Sequence, residues 1–270
     1  MGRPITFLSD YGYEDEFAGV CRAVIARIAP DARVIDITHG IPRHDVRHGS
    51  AVLANVLPYT PAGIHLAVVD PEVGTERRAV AVRVEAEDRV LVGPDNGLLW
   101  PATDRLGGPV EVADVSLSPF RLEPLSATFH GRDVFAPVAA TLAQGADLGE
   151  VGEPLEANAL TRLERRQPAI EPGRRVVAPV AYVDRFGNAA LELEEAQAID
   201  SGLKLGHRLW VEAGAITLDA VYAVTFADVP AEALLLYRDS YGNLALAVNR
   251  GSAAERLELG AGDEVVLRPA

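Results

Sequence analysis

Cysteine and lysine are nearly missing from this chain. Its 270 residues include one cysteine, Cys21, and one lysine, Lys204. A single cysteine cannot close an internal disulfide, which excludes a secreted cystine framework and points to a reducing compartment, the cytoplasm. The scarcity of lysine reads as a coding bias without mechanistic content. Long apolar runs are also absent. Ile64–Val69 and Leu244–Val248 fall well short of the ~20 residues a membrane helix needs. Asp10, Glu14, Asp15 and Glu16 arrive too early for a signal peptide. Positive charge is in deficit: 25 basic against 39 acidic residues give a net charge of −14. That argues against nonspecific nucleic-acid and anionic-membrane binding, both of which need basic surface, and leaves a cationic small molecule open as substrate.

Familiar catalytic signatures are lacking too. There is no GxGxxG, no Walker A loop and no Gly-x-Ser-x-Gly elbow. His44 and His48 are four apart, but no carboxylate or third histidine stands at a zincin-like spacing, so they read as a solvated helix start and no metal is expected. What is present is ordinary globular material, 49% hydrophobic and 24% charged. A chain of this length buries about three-quarters of its unfolded surface and needs no staple.

The first half alternates strand and helix patterns. Ile5–Ser9 reads as a short apolar strand. Phe17, Val20, Cys21, Val24, Ile25 and Ile28 make one stripe of a helix over Glu14–Ala29 that Pro30 stops, which places Cys21 in the core. Arg33–Thr38 reads as a strand and Asp45–Leu57 as a helix with Asp45 near its start and Pro58 just past its end. Ile64–Val69, Ala79–Val84 and Val90–Gly93 follow as strands, with a turn at Asn96-Gly97. Asp133–Leu142 is a core helix that begins at or shortly before Asp133. This rhythm predicts an N-terminal, mostly parallel α/β sandwich domain over residues 1–160. Residues 152–175, with Pro154, Pro168, Pro172 and many arginines and glutamates, read as a linker. Beyond it, short runs (Arg175–Val183, Ala189–Leu193, His207–Val211, Ile216–Phe226, Leu234–Tyr237, Leu244–Val248, Glu264–Leu267) are separated by turn signals. They predict a small C-terminal all-β barrel domain over residues 174–270.

Ligands of open α/β sheets bind beyond the carboxyl ends of strands. Asp10 follows the first strand directly, and Asp70 follows Ile64–Val69. Each alone reads better as a turn or cap aspartate. Together on one sheet edge they can bind a ribose diol or a cation, or serve as a base.

Six strings are more specific in combination: Phe7-Leu8-Ser9-Asp10-Tyr11-Gly12, the run from Val69 to Arg77, Gly93-Pro94-Asp95-Asn96-Gly97, Thr128-Phe129-His130-Gly131-Arg132-Asp133, Asp184-Arg185-Phe186-Gly187-Asn188 and Ser240-Tyr241-Gly242. In order and spacing the chain resembles, from about residue 4 to 268, the S-adenosylmethionine (SAM) hydroxide adenosyltransferases, or SAM hydrolases, which share a fold with the SAM-dependent fluorinases and chlorinases. The resemblance implies a homotrimer with active sites between the N-terminal domain of one subunit and the C-terminal domain of the next. It implies hydrolysis of SAM to adenosine and methionine, with no metal or separate cofactor. Asp70, Arg77 and His130 match the set that holds the attacking water in the hydrolases. The halogenases have Tyr at the positions of Asp70 and His130, and Ser at that of Gly131. Asp70 would repel a halide but can accept a hydrogen bond from water, so chemistry and resemblance agree. Among the three coupled groups the sequence leaves the base open.

Substrate contacts follow from the same resemblance. Asp10 matches a ribose-hydroxyl ligand. Asp184, Phe186 and Asn188 match a segment that meets the adenosyl and methionine parts. Ser240 matches a methionine-carboxylate contact and Val248 an adenine contact made by backbone, and Phe129 and Tyr241 are further expected contacts within their strings. Many hydrolases have Glu where this chain has Ala245. The alternatives are a 5′-halo-adenosine-forming enzyme and a non-catalytic SAM- or adenosine-binding protein.

Overall fold

The computed structural model describes residues 2–163 and 165–270, and the chain divides into two compact units between residues 164 and 165. The first unit runs β1 (Ile5–Ser9), α1 (Phe17–Ile28), β2 (Val34–Thr38), α2 (Val46–Val56), β3 (Ile64–Val68), β4 (Ala79–Val84), β5 (Val90–Pro94), α3 (Trp100–Arg105), β6 (Pro109–Asp114), α4 (Ala136–Ala143), α5 (Leu148–Val151) and β7 (Glu153–Pro154).

Its seven strands lie in the order β2-β1-β3-β5-β4-β6-β7. The pairs β2–β1, β1–β3 and β3–β5 are parallel. Those linking β5, β4, β6 and β7 are antiparallel. The expected parallel character therefore holds for the half that carries β1 and β3. Only residues 85–89 join β4 to β5, too few for a crossover, so a hairpin turns the rest antiparallel. β1 and β3 are buried along their whole length, and their facing polar members Thr6 and His65 hydrogen-bond each other at 2.9 Å. On one face Ile5 and Phe7 pack with Cys21 and Ile25 of α1 and Val138 and Leu142 of α4. On the other, Leu8 and Ala67 pack with Leu53 of α2 and Ala102 of α3.

Local chemistry sets the helix ends. Asp45 caps α2 by accepting from the His48 amide at 2.9 Å. The helix expected from Asp133 starts earlier: a π-helical turn over Gly131–Phe135 leads straight into α4. Single π turns inside helices are frequent at functional sites.

Within the expected linker 152–175, of which residue 164 lies outside the described residues, both flanks are built into the sheets. β7 joins the first sheet, Leu160 is buried against it, and the Thr161 amide donates to Asp95 at 2.7 Å. Residues 169–171 belong to the second unit as a strand. Backbone pairing and one apolar anchor outweigh the polar composition.

The second unit contains β8 (Ala169–Glu171), β9 (Arg175–Val183), β10 (Ala189–Glu194), α6 (Glu195–Asp200), β11 (Arg208–Ala213), β12 (Ile216–Tyr222), β13 (Leu234–Arg238), β14 (Asn243–Val248), α7 (Ala253–Leu257) and β15 (Glu264–Pro269). The strand order β10-β14-β13-β12-β11-β15-β9 closes on itself because β9 also pairs with β10. This seven-stranded barrel leaves β8 as an appendage on β9. Alternate residues such as Leu244, Leu246 and Val248 fill its interior with Val176, Val211 and Leu236. No described helix is long and apolar enough to cross a membrane.

Candidate active site

β1 connects to β2 on one side while β3 lies on its other side, so the chain order switches direction between β1 and β3. Crevices of this kind, at the carboxyl ends of parallel strands, are where open α/β sheets hold ligands. Ser9 is paired with Val68 in register, which sets Asp10 and Asp70 at the ends of neighbouring strands. Asp10 Oδ2 accepts from the His44 amide at 2.9 Å. Asn96 donates to the Val69 carbonyl at 2.9 Å and so fixes the backbone just before Asp70.

Arg77 precedes β4. Successive residues of extended chain point to opposite sides, and the two adjacent arginines use both. Arg78 pairs with Asp95, at 2.9 Å from Nε and 2.7 Å from Nη2. Arg77 turns to Asp70, with Nε 2.9 Å from Oδ1 and Nη2 bonded to Oδ2. Both side chains are only 6% exposed. The same Nη2 lies 3.0 Å from His130 Nδ1. The Arg77 guanidinium also stands 5.2 Å above the Phe135 ring.

His130 is placed by the π turn that follows it and by the loop before it. Asp133, buried within that turn, accepts from the Ser126 amide at 2.8 Å and from Arg132 Nε at 2.6 Å. Burial raises the Asp133 carboxyl, but the Arg132 and Ser126 hydrogen bonds outweigh it and hold it below the usual range. Gly74, at φ +81°, lies where a Cβ would stand 2.4 Å from the Ala127 carbonyl, so glycine lets the loop of Asp70 and Arg77 meet the loop of His130.

Two separate strings, the run from Val69 to Arg77 and the one around His130, thus converge on one cluster of carboxylate, guanidinium and imidazole. Burial, then the Arg77 charge, lowers the His130 pKa, against the pull of Asp70 and Asp133. The cluster is therefore near neutral: one anion, one cation and one uncharged imidazole. Among the described residues no three His, Cys, Asp or Glu side chains gather as a metal site.

In the barrel, Asp184, Phe186 and Asn188 share the turn between β9 and β10. Asp184 accepts from the Phe186 and Asn188 amides and from Asn188 Nδ2, at 2.8, 3.0 and 2.8 Å. Its carboxylate is thus committed to shaping the turn, while Phe186 is 70% exposed. Ser240 and Tyr241 lie in the turn that opens β14, and Val248 ends that strand near the 184–188 turn. The two turns stand at opposite ends of β14. Tyr237 lies between them: burial first, then Asp184 and Asp239, raise its phenol to about 12. Tyr237 pairs with Ala245 across β13 and β14, a long-range register with no signal in the local sequence. The Val248 side chain is in the barrel core, which leaves only its backbone for a ligand. Phe129 packs edge-on against Tyr11 and Phe17 beside the His130 loop, at centroid distances of 5.9 and 5.0 Å.

Fold and site define a class: an α/β unit with its charge cluster at the switch crevice, followed by a closed β-barrel. Family models place it further. Residues 5–152 match the SAM hydroxide adenosyltransferase N-terminal domain and residues 178–266 its C-terminal domain. The chain is 46% identical, over 97% of its length and 96% of the relative's, to the (R)-S-adenosyl-L-methionine hydrolase of Salinispora arenicola. It is 28% identical to a fluorinase of Nocardia brasiliensis, over 98% of this chain and 97% of that one. A crystal structure of a conserved protein from Thermotoga maritima superposes with a TM-score of 0.90 at 36% identity, covering 98% of this chain and 99% of that one. The chain belongs to the SAM hydroxide adenosyltransferase family.

Proposed function

We propose that this protein is an S-adenosyl-L-methionine hydrolase that cleaves its substrate with water to adenosine and methionine. The relative from Salinispora arenicola is named for the (R) sulfonium epimer, and we extend that preference to this chain. The observation that carries the water reading is the Asp70–Arg77–His130 cluster. A guanidinium only donates, so His130 Nδ1 accepts and the ring proton sits on Nε2. Asp70, although held by Arg77, keeps lone pairs for a further donor. A water between them meets an acceptor at Asp70 and a donor at His130 Nε2.

In the reaction the water oxygen forms a bond to ribose C5′ while the C5′–sulfur bond breaks. The bonding pair stays on sulfur, which leaves as the neutral thioether of methionine. The water proton departs toward Asp70 and then to solvent. The sulfonium is already a good leaving group, so the protein's task is placement. Positioning alone can supply up to ~7–11 kcal/mol in favourable systems. As water gains hydroxide character, its charge and that of the sulfonium cancel, a change that a low-dielectric crevice favours. The chain's net charge of −14 draws in the cationic substrate. No metal or separate cofactor enters this scheme.

Asp10 is proposed to bind the ribose hydroxyls. The barrel turns carrying Asp184, Phe186, Asn188, Ser240 and Tyr241, with the Val248 backbone, are proposed to hold the adenine and methionine ends. We further propose a homotrimer in which each site joins the first unit of one chain to the second unit of its neighbour. The deciding experiment is incubation with SAM and chloride in oxygen-18 water. Adenosine labelled at the 5′-oxygen, with methionine, is expected. A 5′-chloro product would move the chain to the halogenases, and no product above background would leave a binding protein.

A further inference from the structure

Gly131 carries the second observation at the charge cluster. A Cβ at this position would stand 2.0 Å from the Tyr11 hydroxyl oxygen and 3.0 Å from Cζ. Any side chain at 131 and the Tyr11 hydroxyl would claim the same space. Gly131 adjoins His130 and opens the π turn, so the phenol tip lies directly beside the imidazole's own backbone.

The Tyr11 ring is firmly placed. Phe7 and Phe129 meet it edge-on, with centroids at 6.4 and 5.9 Å, and Phe17 lies at 5.9 Å. Its amide donates to Ser9 Oγ, which in turn bonds the buried His39 at 2.7 Å. Against this anchoring, none of the described residues hydrogen-bonds the Tyr11 hydroxyl. Tyr11 is partly buried, so water is the partner left to its O–H. Burial, with Cys21, Asp10 and Asp70 adding and Arg77 opposing, lifts this phenol well above the usual range, so it remains a donor at any working pH. Apart from Cys21 in the core, the groups that act on it are those of the crevice.

We propose that Tyr11 is a further catalytic residue of the hydrolytic site, whose hydroxyl holds the attacking water beside Asp70 and His130, and that position 131 is glycine to admit it. The inference rests on the hydrolase reading. Tyr11 supplies no proton to the products: it adds a third fixed point to a water that Asp70 and His130 alone would leave free to pivot. Misplacement of a reacting atom by about 1 Å can cost ~10²-fold in rate, which sets the scale of its effect.

The test uses the full-length protein with SAM, reading adenosine. Tyr11→Phe keeps the ring in its aromatic setting and removes only the oxygen. The expected result is a fall in kcat of roughly 10- to 100-fold with KM within about threefold. A loss that appears in KM alone, or wild-type kinetics, overturns the proposal. Thermal unfolding tests the steric half. Gly131→Ala should lower Tm in the wild-type background and much less in a Tyr11→Leu background, and equal losses in both overturn the pairing. If wild type itself releases no adenosine above background, the hydrolase reading fails and takes the held water with it. The thermal coupling of positions 11 and 131 then stands or falls on its own.

Discussion

Arg77 Nη2 lies 3.0 Å from His130 Nδ1, and this contact fixes the state of the imidazole. Protonated His130 would present an N–H to a guanidinium N–H, with no acceptor between two cations. Neutral His130 accepts at Nδ1 and keeps its proton at Nε2. The same Arg77 charge that orients the ring also lowers its pKa, second only to burial. Geometry and electrostatics select one tautomer.

A pH profile follows. Because the folded His130 pKa is depressed below its ordinary value of ~6.5, the neutral form persists into mild acid. The kcat/KM of wild type should stay level from pH 8 down to about 6.5 and fall only below it. His130→Asn keeps an acceptor near the Nδ1 position but has no donor where Nε2 was. It should lose roughly 10²-fold in kcat and the histidine acid limb together. A wild-type midpoint above 6.5 would contradict the assigned state.

Asp70→Asn preserves shape and removes the anion. The expected fall in turnover is at least ~10²-fold, with weaker effects on SAM binding. Calorimetry for binding and single-turnover kinetics for chemistry separate the two. Wild-type turnover in this variant would leave Asp70 as no more than a partner for Arg77.

Much of this arrangement was legible in the sequence, and the residues explain why. The Asp10 and Asp70 positions follow from strands ending where the apolar runs end, and Cys21 falls in the core because it sits on the α1 stripe. The Asp45 cap is a local signal read correctly from one residue type. Local pattern says nothing, however, about strands that meet across the sheet, so the antiparallel half escaped notice. Nor does composition reveal that Leu160 and Thr161 dock on the first unit, since one buried leucine and one amide hydrogen bond decide it. The contact of Tyr11 with Gly131 joins residues 120 positions apart and has no signature in either string.

A second histidine makes the fold itself sensitive to acid. His65 is fully buried on β3, with Nδ1 2.9 Å from Thr6 Oγ1 and Nε2 3.2 Å from Arg89. Burial, then Arg89 and Arg3, lowers its pKa to about 3. The unfolded chain protonates His65 below ~6.5 while the folded protein does not until about 3, so acid favours unfolding across that window. Between pH 7 and pH 5 the loss from this one group is about 2 kcal/mol. Urea denaturation at the two pH values measures it. His65→Gln should show a smaller difference, and an unchanged difference would assign the acid sensitivity to other groups.

Asp70, Arg77 and His130 belong to the first unit, and Asn188 and Ser240 to the second. In a ring of three, a heterologous contact that closes by rotation would pair the first unit of each chain with the second unit of the next. Two inactive variants test this: Asp70→Asn, and Asn188→Trp, which removes the Asn188 bond to Asp184 and fills the turn with an indole. Each alone should be nearly dead. Unfolded together in equal amounts and refolded, they form mixed trimers, each with one site that carries both lesions and one that carries neither. Random mixing should then restore about a quarter of wild-type activity. If every chain builds its own site, no site escapes a lesion and the mixture stays as inactive as its parts. Light scattering on the same samples should give a species near three times 28.8 kDa, and a monomer would rule out shared sites whatever the activity.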